Sequence, residues 1–562
     1  MRSSTVASDV VLALVLALAP GAAFVATPAS AQAVSPRAGS TPSSADAPRP
    51  RFVLPNEGEA TPAPLRAALD GVRSEALRAH VAFLASPPLA GRGLGSDGLE
   101  AALEYGAAQL ALAGVAPFGA ADGKGARTYF QPVPMREIRE PGGSVEVERR
   151  TGETATRRTF LHGVDVVVAP QPARSVTGPL VFAGYGLRET SPARDDFRGL
   201  DVRGKVVVLR EGLPPGEAWR TKELVERYAA GDAEERWAAK VETATALGAV
   251  AVLAVEGNDW AARLLGSEKP ATFAFRSMTE APAREPFVVR CAPVVLEGLL
   301  GAPPKAEEPS RPLPASATLR ATALERTGLS RNVVGILPGS DPARADEAVV
   351  LGAHADHLGR VDGVIHPGAD DNASGVAALL EVARAFASSP VRPKRTLLFV
   401  LWTGEEEDKI GSGHWVRSPL WPLAKTAVYL NFDMIAHPWK AEEIRDLVAS
   451  AKLPGAEAFL AAARPDTFLE PGVASFAPDL GPLLTGAGRA AGLALHLDWT
   501  EGVNGGSDYR DFARARVPFV RFFGNFHPDY HRPGDTSASI DPDQVRRVTR
   551  LGLATAWLAA DR

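Results

Sequence analysis

The chain holds a single cysteine, Cys291, among 562 residues. No internal disulfide can form, so stability must come from a packed core, with bound metals as a further source. Flanked by Val288, Val289, Val294 and Val295, that cysteine reads as a small buried residue rather than a nucleophile. Concentrated positive charge is also lacking. The formal net charge is −5 and no Lys/Arg-rich block stands out, so neither nucleic acid nor an anionic membrane surface is an implied partner. Past the first 31 residues no apolar run approaches a membrane span, so no stable membrane insertion is expected. Familiar catalytic signatures are missing too. There is no Gly-x-Ser-x-Gly elbow, no His-Glu-x-x-His zinc helix and no phosphate-binding Gly-x-x-x-x-Gly-Lys-Ser/Thr loop.

What is present is ordinary in bulk, with 45% hydrophobic and 23% charged residues. The length is too great for one core and allows roughly three or four domains at most. Residues 1–31 read as a signal peptide. Arg2 precedes an apolar stretch from Val10 to Val25, and Ala29-Ser30-Ala31 supplies small residues for cleavage. A secreted or periplasmic location follows from that reading. Residues 32–60, rich in Ala, Pro, Ser and Thr, read as a disordered leader. Helical spacing then runs from Leu65 to Leu112, interrupted by the loop Ala90 to Ser96. Residues 136–325 change to short β-rich pieces and turns and read as an inserted domain. From Asn332 onward short apolar runs (Val333 to Leu337, Ala348 to Gly352, Thr396 to Trp402, Ala427 to Phe432, Val517 to Phe523) alternate with helical spacing such as Val376, Leu379, Leu380, Ala383 and Phe386. That alternation predicts an α/β fold with a mixed, mostly parallel sheet flanked by helices, whose sites gather beyond the strands' carboxyl ends.

Acids and histidines stand where those strands end. They read His354-Ala-Asp356-His357, Asp370-Asp371-Asn372, Glu405-Glu406-Glu407, Asn431-Phe432-Asp433 and Asp529-Tyr530-His531. His354 and Asp356, two apart at a strand end, point to one side, which suits a ligand histidine steadied by a carboxylate. Consecutive aspartates at a helix start exceed what capping needs, and a cation would offset their repulsion. Among the glutamates, one can ligate while its neighbour takes the proton of an attacking water. Glu407 and Asp408 read as solvated surface. Singly each station is weak; together they describe a metallohydrolase.

These stations resemble the M28 family of zinc metallopeptidases, supported by Gly91-Arg92-Gly93 and Tyr129-Phe130-Gln131 in the helical front segment. The inserted region resembles a protease-associated (PA) domain through Phe182 to Gly186, Asp201 to Lys205 and Leu247 to Ala249. The resemblance implies a peptidase domain of residues 61–135 and 326–562, interrupted by the PA-like domain at 136–325. It implies two Zn2+ ions, with His354 and Asp433 on one, Glu406 and His531 on the other, and Asp370 bridging. Glu405 would be the general base, Asp356 would orient His354, and a cis peptide would join Asp370 to Asp371. The implied activity is exopeptidase cleavage of a peptide or protein substrate, most simply by an aminopeptidase. Carboxypeptidase or glutaminyl cyclase chemistry, or a non-catalytic receptor-like role, are the alternatives, and the PA-like domain would contact substrate or a partner protein. The chain departs from the family at Asp408-Lys409, where Gly-Leu is usual, at Tyr509, where histidine is common, and at Asn504, the counterpart by spacing of an oxyanion tyrosine.

Overall fold

Strands Ala348–His354 and Thr396–Trp402 are buried along their whole length, as expected of strands covered on both faces of a largely parallel sheet. They pair in parallel, and Ala348–His354 pairs in parallel on its other side with Thr426–Phe432. Phe519–Phe522 extends this parallel set beyond Thr426–Phe432. The computed structural model describes residues 50–55, 61–151, 153–230, 233–265, 271, 273–279 and 287–562. The expected signal peptide and most of the leader lie outside them.

Alternation along Thr426–Phe432 fixes the layers. Tyr429 stacks on Phe512 of the helix Tyr509–Arg514, with ring centroids 3.9 Å apart. Phe432, an odd number of residues along, faces Gly552 of the helix Pro542–Asp561. Odd separations in a strand point to opposite faces, so the sheet is sandwiched between helices. Gly375–Ala387, Ser74–Leu84 and Pro542–Asp561 pack against one another on the second face. The helical spacing of the front segment resolves into Ala63–Asp70, Ser74–Leu84 and Asp97–Leu112.

The sheet continues into the inserted region. After Thr396–Trp402 come Arg311–Leu337, Arg174–Phe182, Val206–Arg210, Ala251–Val255, Phe287–Cys291 and Val166–Val168 in a sheet of 16 strands. Two long strands, Phe130–Thr151 and Arg311–Leu337, pair antiparallel from Phe130↔Val333 to Arg149↔Ala315. The domain boundaries placed near residues 135 and 325 therefore fall inside continuous strands. The cores nevertheless divide. One joins residues 53–115 to 333–560, and another is built wholly from residues 145–321. Cys291 belongs to the second core, fully buried, and burial pushes its thiol up.

Candidate metal centre

The central strands deliver their acids and histidines to one edge. His354 is the last residue of Ala348–His354; Glu405 and Glu406 follow Thr396–Trp402, and Asp433 follows Thr426–Phe432. Gly352 lets the sheet close here, because a Cβ would stand 2.3 Å from Trp402 Nε1. His354 Nε2 lies 3.1 Å from Asp433 Oδ1 and 3.3 Å from Asp371 Oδ1. His531 Nε2 lies 3.1 Å from Asp371 Oδ2 and 3.3 Å from Glu406 Oε2. Asp371 therefore turns one oxygen to each histidine.

This corrects the expectation for Asp370, whose carboxylate turns away from both histidines. Its Oδ1 accepts hydrogen bonds from the Ala436 amide at 2.7 Å and from Ser374 Oγ at 3.1 Å. Between the two aspartates the backbone leaves helical geometry, with φ −103° and ψ 95° at Asp371, and adjacent side chains diverge. The cis peptide also sits one residue later, between Asp371 and Asn372. Asp535 fixes the turn by accepting the Asp370 amide on one carboxylate oxygen at 2.8 Å and the Asp371 amide on the other at 3.1 Å. Asn372 caps the following helix, its Oδ1 accepting the Gly375 amide at 2.9 Å.

Asp356 acts differently from expectation. Its carboxylate oxygens accept the amides of Glu405 at 3.1 Å and Glu406 at 3.2 Å, clamping the glutamate turn. His354 Nδ1 faces the Asp356 backbone carbonyl at 3.2 Å and the carboxylate only at 3.9 Å. An Nδ1–H donating to that carbonyl leaves Nε2 as the nitrogen that faces Asp433 and Asp371.

Glu405 is buried, with Oε2 4.0 Å from His354 Nε2. Lys409 Nζ is 3.1 Å from its Oε1, yet that oxygen has no partner of hydrogen-bond geometry. Burial raises the Glu405 carboxyl well above its usual range, opposed by His354 and Lys409 and reinforced by Asp433 and Asp508. Glu406 is the opposite case. Burial and Asp371 push it up, but His357 and His531 outweigh them and hold it at about 2. His531 is depressed by burial yet carried to about 10 by hydrogen bonds to Asp371 and Glu406.

Three residues named in the sequence, but given no role at the site there, contribute to it. His357 is buried with Nδ1 2.7 Å from Glu406 Oε1 and 3.7 Å from Asp371 Oδ2; its place directly after Asp356, beyond the strand, is the available signal. Glu407 is half-buried rather than surface, accepting the Phe275 amide from the inserted region at 3.2 Å. Arg92, fully buried, donates to the carbonyls of Ala355, Leu84, Pro367 and Gly368. The glycine before it is forced, since at Gly91 (φ +79°) a Cβ would meet the His366 carbonyl oxygen at 2.3 Å. Gly91-Arg92-Gly93 thus braces the loops around His357 and Asp370.

The departures from the family pattern also have places. Asp408 and Lys409 adopt φ of 66° and 62°, the left-handed region where glycine is easier. Arg510 holds Asp408 at 2.6 Å. Tyr509 stacks on Phe519, with ring centroids 4.9 Å apart.

The donor chemistry fits cations. Asp371 is shared by two sets, one with His354 and Asp433 and one with His357 and Glu406, each with ligand atoms within 4.8 Å of one another. Residues 332–556 match peptidase family M28. The chain carries an M28 peptidase domain. Across 413 residues it is 27% identical to the probable lipoprotein aminopeptidase LpqL of Mycobacterium tuberculosis, spanning 69% of this chain and 67% of that protein. Over 259 residues it is 31% identical to a probable zinc metalloprotease of Pyricularia oryzae, covering 41% of this chain and half (50%) of the relative. The solved aminopeptidase from Aneurinibacillus sp. strain AM-1 shares the fold at a TM-score of 0.50 and 19% identity, covering 88% of this chain and 96% of that one. Among the described residues no helix is long and apolar enough to cross a membrane.

Proposed function

We propose that the M28 domain is a di-zinc exopeptidase that removes amino-terminal residues from peptides. The observation that carries this reading is Asp371, whose two oxygens face His354 and His531 with Glu405 beside them. His354, Asp433 and Asp371 would hold one zinc, and Asp371, Glu406 and His531 the other, with His357 Nδ1 close enough to Glu406 to join the second set. When bound, zinc supplies Lewis acidity toward water and the scissile carbonyl.

The side chains around that centre have separable tasks. Glu405, buried and with a raised affinity for protons, accepts the proton of the attacking water and returns it to the departing amine. Asp356 keeps the glutamate turn rigid through the two amides it accepts. Asp535 and Arg92 hold the Asp371 turn from beneath. The relatives' names supply the aminopeptidase direction. The region 136–325, with its own core, is read as the PA-like domain that meets substrate or partner, and an extracellular location accords with LpqL being a lipoprotein. Hydrolysis of aminoacyl chromogenic substrates, abolished by a chelator and restored by zinc, tests the proposal. Equal cleavage of an amino-terminally blocked peptide would refute the aminopeptidase reading.

A further inference from the structure

Beside the Asp371 cluster lies a second group of unmatched donors. His437 and His527 stack face to face, ring centroids 3.9 Å apart and planes within 17°. Their Nε2 atoms point at Asp370 Oδ2 from 3.9 Å and 3.6 Å, beyond hydrogen-bond reach. None of these three buried atoms has a hydrogen-bond partner. Asp370 is fully buried, and its other oxygen is already taken by Ala436 and Ser374. A buried carboxylate oxygen left bare is expensive unless something satisfies it.

A proton between Asp370 and one histidine would need a shorter approach and would leave the other ring unmatched. A single cation answers all three atoms. Zinc held at about 2.0–2.1 Å by nitrogen and oxygen places tetrahedral neighbours about 3.3 Å apart, so small side-chain rotations close the observed spacings.

We propose that Asp370, His437 and His527 form a third divalent-metal site, suited to zinc and distinct from the pair centred on Asp371. Its position assigns it a task. Asp370 adjoins Asp371, His437 lies four residues after Asp433, and His527 lies four residues before His531. One ion on this site ties together the three segments that present those side chains. With a nitrogen, nitrogen, oxygen set, one coordination position stays open to water.

Metal analysis of the full chain, saturated with zinc and desalted, tests this without relying on activity. Wild type should hold three zinc ions per chain and H437Q/H527Q two. Equal content in the two proteins overturns the site. Loss of one ion from a wild type holding fewer than three would keep this site and count against the pair on Asp371. Should the double variant fail to fold by circular dichroism, H437Q alone, at the more exposed ring, is titrated with a competing chelator. One equivalent should leave at lower chelator concentration than from wild type, and superimposable release curves overturn the proposal.

Discussion

Replacing Glu407 with glutamine should stabilise the protein at neutral pH and have little effect in acid. The Glu407 carboxylate is half-buried between the glutamate turn and the strand Phe273–Ser277. Burial pushes it up from 4.5 to about 6, against the pull of the Phe275 amide and Arg276. Because the folded-state value lies above the unfolded one, ionisation disfavours folding. Above about pH 6 both states are ionised and the penalty is complete; below about pH 4.5 both are protonated and it vanishes. A displacement of that size corresponds to about 2 kcal/mol, and partial exposure reduces it to about 1 kcal/mol. Glutamine keeps an oxygen for the Phe275 amide and removes only the charge. Urea unfolding of metal-free wild type and E407Q at pH 7.5 and pH 4.5 measures the difference and excludes metal linkage. The variant should lead by about 1 kcal/mol at the higher pH and by only a small fraction of that at the lower. An advantage that is absent, or independent of pH, would refute the claim that a buried charge is the operative quantity.

Asp371→Asn should lower hydrolysis by at least about a hundredfold and reduce bound zinc, measured by initial rates and metal analysis; near-normal values for both would refute the bridging role proposed for it. Asp535→Asn leaves one of the Asp370 and Asp371 amides facing a donor instead of an acceptor and should destabilise the fold by about 1–3 kcal/mol in chemical denaturation. Tyr429→Phe removes the hydroxyl that accepts from Trp402 Nε1 and donates to Asn431 Oδ1, with a similar expected loss of about 1–3 kcal/mol. Arg92→Ala leaves buried carbonyls unpaired and should lower stability by more than about 3 kcal/mol, read as a fall in the denaturation midpoint.

Much of this arrangement is legible in the sequence alone, because apolar β-branched runs and the acids after them are adjacent in the chain. His354, Glu405, Glu406 and Asp433 inherit their positions from strands whose order in the sheet follows parallel α/β rules. Asp370 and Asp371 are harder to separate. Periodicity cannot assign neighbouring carboxylates when the backbone between them abandons helical angles, and the turn is fixed by Asp535, 164 residues away from Asp371. Asp356 is legible as a strand-end residue, but which amides it accepts depends on where the glutamate turn arrives. Glu407 looks like surface in the sequence because its covering strand, Phe273–Ser277, comes from the inserted region. His437 has no local signal, since only the tertiary fold brings it over His527.

In the proposed reaction Glu405 moves the proton at a centre assembled by other residues. Zinc content and peptide hydrolysis measured together on Glu405→Gln test it most directly. The variant should keep wild-type zinc content with turnover lowered by about two to four orders of magnitude. Wild-type turnover in a zinc-loaded variant would contradict it.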